Sequence, residues 1–153
     1  MPAWALLLIL VAAPAWSGEA GEAAFTFRDA ADKPVEIRPE PASGQALLLH
    51  FWATWCADCE QDLAHLAEAS AGCDRVRIVA VNAGDDADRV QSYLSLHPVW
   101  LTLLRDPNGS AWRRLDGRGL PMNAYWSARG HETDLGPKTR EQWKERLAQL
   151  GCR

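Results

Sequence analysis

Apolar and polar residues alternate over Phe25-Thr26-Phe27 and again over Val35-Glu36-Ile37, with a turn-forming stretch from Asp29 to Pro34 between them. Period-two alternation on both sides of a turn predicts a β-hairpin. Ala46 to Trp52 is different: a continuous apolar run broken only by His50, as expected of a strand covered on both faces. From Cys56 to about Ala71 the period lengthens, with Leu63, Leu66 and Ala67 on one helical face and Gly72 as the stop. Arg75 to Asn82 reads as a second central strand. Asp86 to Leu96 reads as a second helix, with Val90, Tyr93, Leu94 and Leu96 as its apolar set and His97-Pro98 as its end. Trp100 to Leu104 is short and extended, Asp106-Pro107-Asn108-Gly109 is a turn, and Ser110 to Leu115 is a short helix. Gly119-Leu120-Pro121 leads into a strand from Met122 to Trp126. A turn over Ala128-Arg129-Gly130, a strand from Glu132 to Leu135 and a helix from Thr139 to Leu150 complete the chain. This order predicts an α/β three-layer sandwich: a central mixed sheet with an N-terminal β-hairpin extension.

Residues 1–17 stand outside this scheme. Ala3 to Ala13 is apolar and too short to span a bilayer comfortably. Ala15 and Ser17 match the spacing of a signal-peptidase site, with cleavage after Ser17. No Lys or Arg precedes the run, so the α-amino group supplies the only positive charge. A cleaved secretory signal is the expectation, with an uncleaved anchor as the alternative. Residues 18–24 then form a small, polar tether, and 25–153 form one domain. The 153-residue length suffices for a single core. The net charge of −4 is mild and argues against a nucleic-acid partner.

Export bears on the four cysteines, because an oxidising compartment lets disulfides persist. Cys56-Ala57-Asp58-Cys59 lies between the apolar strand and the first helix. Two thiols one helical turn apart can close into a disulfide. The first sits where helix N–H groups favour a thiolate, the species that attacks another disulfide. A four-cysteine zinc site shows two closely spaced pairs; Cys73 and Cys152 are far apart, so no metal site is expected. His50, six residues before Cys56, is either a proton carrier for Cys59 or a buried neutral imidazole. Asp62, three past Cys59, either approaches the buried thiol or lies on a solvated face. Asp58 and Glu60 read as solvated charges that oppose a Cys56 thiolate, which favours a reducing protein over a strongly oxidising one.

The element order together with Leu48-Leu49-His50-Phe51-Trp52-Ala53-Thr54-Trp55-Cys56-x-x-Cys59, Val79-Ala80-Val81-Asn82, Asp106-Pro107-Asn108-Gly109 and Gly119-Leu120-Pro121 resembles the thioredoxin fold. Within it the chain looks most like the exported TlpA/ResA-type thiol–disulfide oxidoreductases, over roughly residues 25–150. It departs from them in Ala57-Asp58, where a proline commonly comes second, and in His50, Asp62, Leu63-Ala64 and Met122-Asn123-Ala124. The resemblance implies Cys56 as nucleophile and Cys59 as resolving thiol. It also implies a cis Pro121 facing them, with Leu120 offering its backbone to an extended substrate. Trp55, Leu120 and Met122 are then expected to ring the site as an apolar substrate-binding rim, with Trp52 either in that rim or in the core beneath. In the implied topology the helices after Cys59 and at the C-terminus run the same way on one face. Cys73 and Cys152 are therefore expected to form a structural disulfide, with free thiols or an intermolecular bridge as alternatives.

The implied function is that of an enzyme outside the cytoplasm, periplasmic or otherwise exported, which reduces protein disulfides. Haem-binding cysteines of apocytochrome c and copper-site cysteines are the candidate substrates, and a membrane thiol–disulfide carrier is the electron donor. No dissociable cofactor and no nucleic acid are needed, and a monomer is expected. Two other readings use the same scaffold. One is a copper or haem chaperone with Cys56 and Cys59 as soft ligands. The other is a peroxidase, against which stands the lack of an isolated reactive cysteine in a Pro/Thr-containing loop.

Overall fold

A computed structural model describes Met1 and residues 23–153; the expected leader and most of the tether lie outside the described residues. β1 (Phe25–Arg28) and β2 (Pro34–Ile37) form the hairpin. β3 (Ala46–Trp52) is buried at every residue, because it lies between β4 (Val76–Ala83) and β6 (Met122–Ser127) and is covered on both faces. β5 (Thr102–Asp106) pairs with β4 in parallel, and β7 (Gly130–Leu135) closes the far edge against β6. The sheet order is β2-β1-β5-β4-β3-β6-β7.

The helices are α1 (Cys59–Ala69), α2 (Ala87–Leu96), α3 (Ser110–Arg114) and α4 (Arg140–Leu150). The crossovers β3-α1-β4 and β4-α2-β5 step the same way across the sheet, so right-handed connection puts α1 and α2 on one face. α4 packs beside α1 there, with Leu66, Trp143 and Leu147 against Leu48 and Tyr125. Further along, Leu63 and Val90 meet Trp52. The opposite face carries Leu47, Leu49 and Phe51 with Phe25, Phe27 and Trp126, and α3 seals it with Ala111. Each large side chain buried in this way stabilises the fold by roughly 1.5–3 kcal/mol relative to an exposed one.

Two sequence expectations shift. The first helix starts at Cys59, not Cys56, because Cys56 N–H bonds the Ala53 carbonyl at 3.2 Å and the chain makes a turn before the helix opens. Leu96 is exposed instead of inward, since α2 ends there and only its Val90 side is buried. Other boundaries move by a residue or two. α4 starts in a capping box: the Thr139 hydroxyl accepts from Gln142 N, and the Gln142 side chain accepts from Thr139 N.

Candidate functional site

β3 and β4 are parallel, so their C-terminal ends lie at the same end of the sheet, and the loop from Ala53 to Asp58 leaves β3 there. The structure holds Cys56 and Cys59 as a disulfide with Cα atoms 5.3 Å apart. The two sulfurs are unequal in access. Cys59 is fully buried among Trp52, Leu63, Ala80 and Val90, whereas Cys56 is partly exposed. Trp55 beside it is 68% exposed. Trp52 belongs to the core, not the rim, at 0% exposure and stacked at a tilt on Tyr93.

The peptide bond before Pro121 is cis, and Leu120 is partly buried against the cluster that holds Cys59 and Cys56. Met122 is not in the rim. As the first residue of β6 it pairs with Phe51 and points to the face that carries Phe25 and Trp126, where it is buried. Leu120, only partly buried, packs against this cluster too, so Met122 lies beneath it and not beside it at the surface.

A run of hydrogen bonds fixes the loop that bears Leu120. Asp106, buried at the end of β5, accepts from Ser110 N at 2.9 Å and Trp112 N at 3.1 Å, which caps and aims α3. The Trp112 indole N–H in turn donates to the Gly119 carbonyl at 3.3 Å. Gly117 lies against the same indole: a Cβ there would come within 2.3 Å of the ring.

A second carboxylate fixes the cysteine loop. Asp85 is buried, and its Oδ2 accepts from Thr54 N at 2.8 Å and from Asn82 Nδ2 at 2.9 Å. Asn82 Oδ1 accepts in return from Asp85 N. Neither Asp85 nor Trp112 was singled out from the sequence. Asn82-x-x-Asp85 at a strand end is an Asx-type pattern that flags the first; a tryptophan in a short helix carries no such signal.

His50 and Asp62, 12 residues apart in sequence, meet on the α1 and α4 face. His50 is fully buried, its Nδ1 lies 2.7 Å from Asn123 Oδ1, and its Nε2 lies 3.8 Å from Asp62 Oδ2. Neither of these last two atoms has a hydrogen-bond partner. Burial pushes the His50 imidazole below its ordinary value, against the opposing charge of Asp62 and the Asn123 hydrogen bond. Asp62 is buried rather than solvated. Its Oδ1 takes Trp143 Nε1 at 2.7 Å and Lys138 N at 2.8 Å, which ties α1 to the start of α4. Asn123 continues the network to Asp134, which also receives Tyr125 and Lys138. Asp58 and Glu60 are exposed, and Glu60 pairs with His97 at 2.9 Å.

At the opposite end of the central strands Cys73 and Cys152 form the second disulfide, with Cα atoms 5.2 Å apart, just past the ends of α1 and α4. Among the described residues there is no cluster of three or more His, Cys, Asp or Glu side chains arranged to hold a metal ion.

A sequence model of the AhpC/TSA family matches residues 13–127. The chain is 32% identical over 129 residues to the thiol:disulfide interchange protein DsbE of Vibrio cholerae, covering 82% of this chain and 69% of that one. It is 26% identical over 112 residues to sporulation thiol-disulfide oxidoreductase A of Bacillus subtilis, covering 69% and 68%. Among solved structures it resembles a secreted Mycobacterium tuberculosis disulfide oxidoreductase, with a TM-score of 0.68, 24% identity and coverage of 82% and 95%. The chain thus spans about two thirds of the length of these two curated relatives.

Proposed function

The chain belongs to the AhpC/TSA family and is a thiol–disulfide oxidoreductase of thioredoxin-like fold, and on that premise we propose that it reduces disulfides of other proteins outside the cytoplasm. The observation that carries this reading is the unequal access to the two sulfurs: a substrate can reach Cys56 but not Cys59.

In the reduced enzyme the Cys56 thiolate attacks one sulfur of the substrate disulfide. A Cys56–substrate bond forms, the substrate S–S bond breaks, and the departing sulfur takes a proton. Cys59 then loses its proton and attacks Cys56 Sγ. The Cys56–Cys59 bond forms and the second substrate thiolate leaves. Two electrons and two protons pass to the substrate, and an external dithiol must restore the enzyme. Because Cys59 is buried, its proton needs an acceptor nearby. His50 fits that role: burial favours the neutral imidazole, and Nε2 has no partner. Asp62, bound to Trp143 and Lys138, serves chiefly to hold α4 against α1, and Asn123 orients the imidazole through Nδ1.

Asp58 and Glu60 place negative charge beside Cys56, and Asp85 adds a buried carboxylate beneath its loop, which supports a reductant over a strong oxidant. The substrates that fit are cysteine pairs awaiting haem or copper, and the donor that fits is a membrane thiol–disulfide carrier. The protein would act as a monomer after export, with the leader removed or kept as an anchor; among the described residues no helix is long and apolar enough to cross a membrane.

Reduction of insulin by the wild type and by Cys56→Ser tests the reading directly, and equal rates end it. Cys59→Ser should accumulate a covalent complex with substrate through Cys56, visible by mass spectrometry and released by dithiothreitol. Copper titration and hydroperoxide consumption on the same preparations test the chaperone and peroxidase alternatives.

A further inference from the structure

Next to Trp55, the residue before Cys56, lies a groove of about 370 Å³ that begins at Trp55 and Leu120 and runs between the Pro107–Gly109 turn and Arg113 and Arg118. Its lining contains two guanidinium groups and no carboxylate, in a chain whose net charge is −4. The carboxylates under its floor are withdrawn from it: Asp85 and Asp106 are buried and bound to backbone N–H groups. Arg118 pairs with Asp116 at 2.8 Å, an exposed contact that a competing anion can replace. The Arg113 guanidinium lies close to Gly109. This glycine has φ of 60°, and a Cβ on it would come within 3.2 Å of Arg113 Nη1, so the guanidinium lies across the bare backbone. The third arginine of this segment, Arg114, is turned away to the carbonyls of Ala23 and Ala24.

We propose that this groove reads the polypeptide next to the reactive disulfide, and that Arg113 and Arg118 select substrates with an acidic side chain there. The proposal rests on the oxidoreductase reading above and adds the substrate class. On the other flank of the cysteines, Asp58 and Glu60 repel the same acidic segment, so charge also sets the direction in which the substrate strand lies. Trp55 and Leu120 supply the apolar contact, and the arginines supply the choice.

Two peptides that share one intramolecular disulfide, flanked by Glu in one and Gln in the other, test this with pre-reduced enzyme. Each variant's rate on the uncharged 2-hydroxyethyl disulfide normalises its peptide rates. The wild type should reduce the Glu peptide on the order of fivefold faster, the size that a well-placed exposed charge pair carries, and high salt should shrink that ratio. Arg113→Gln with Arg118→Gln should bring the ratio close to one, and Arg113→Glu with Arg118→Glu should invert it. Equal wild-type rates on the two peptides, or a preference that survives the double Gln substitution, overturns the proposal. If the wild type reduces neither peptide nor 2-hydroxyethyl disulfide, the oxidoreductase reading falls, and this one with it.

Discussion

Removal of the Asp85 carboxylate leaves the Thr54 N–H and the Asn82 amide without their acceptor under the cysteine loop. We predict that Asp85→Ala costs about 1–3 kcal/mol in urea denaturation and lowers kcat/KM for insulin, because Cys56 loses the support behind its turn. An unchanged midpoint would show that Asp85 is dispensable. His50 gives a pH signature. Burial holds its folded-state pKa below the ordinary 6.5, so as pH falls through that value the unfolded chain takes up a proton that the folded chain refuses. Stability at His50 is therefore present above about pH 6.5 and is lost as pH falls below it. Urea midpoints at neutral and mildly acidic pH should fall more steeply in the wild type than in His50→Gln; parallel slopes would contradict the sign. Asp62, Asp134 and Lys138 face the same network and set the background. The Cys56–Cys59 pair was legible in the sequence because its spacing after a strand end is local. Met122 lies in the core and not in the rim because its side follows from pairing with Phe51, a contact between residues 71 apart in sequence.

Between strands, α3 is a five-residue helix whose effect exceeds its length. Asp106 aims it, and Trp112 carries that aim to the Gly119 carbonyl. Gly117→Ala forces a Cβ into the indole, and we predict a loss of about 1–3 kcal/mol from overpacking together with slower substrate reduction. Gly119→Ala meets nothing within 4 Å and is the matched control for stability. Comparable thermal shifts in the two variants would mean that the indole is not the constraint. The short helix and the Asp-Pro-Asn-Gly turn were legible as elements, since capping and turn chemistry are written in neighbouring residues. Their role was not, because the Trp112 contact depends on where the loop past it returns. The start of α1 was placed three residues early for a related reason: the turn that delays it is made by backbone bonds to Ala53 and Cys56, not by a breaker residue.

Across the whole molecule the two disulfides lie beyond opposite ends of the central strands. Replacement of Cys73 and Cys152 together by Ser reopens a connection of 79 residues. The chain-entropy account puts the loss at about 4 kcal/mol. We predict a lower melting temperature for that variant with insulin reduction retained below it; loss of activity in the folded variant would join the staple to the chemistry. The parallel course of α1 and α4 made their shared end foreseeable once the topology was in hand, whereas composition alone left the pairing open. The grip of Arg114 on Ala23 and Ala24, with its guanidinium 3.7 Å over the Phe25 ring, fixes where the N-terminal stretch joins the domain. β1 runs antiparallel to β5 from that point, so the junction stands at the same end of the sheet as Trp55 and Leu120. Immobilisation through the N-terminus, on a bilayer or on a sensor chip, would thus leave Cys56 looking toward the supporting surface. A short leash would restrict it to partners that sit in or on that surface, and a longer one would open it to partners arriving from solution.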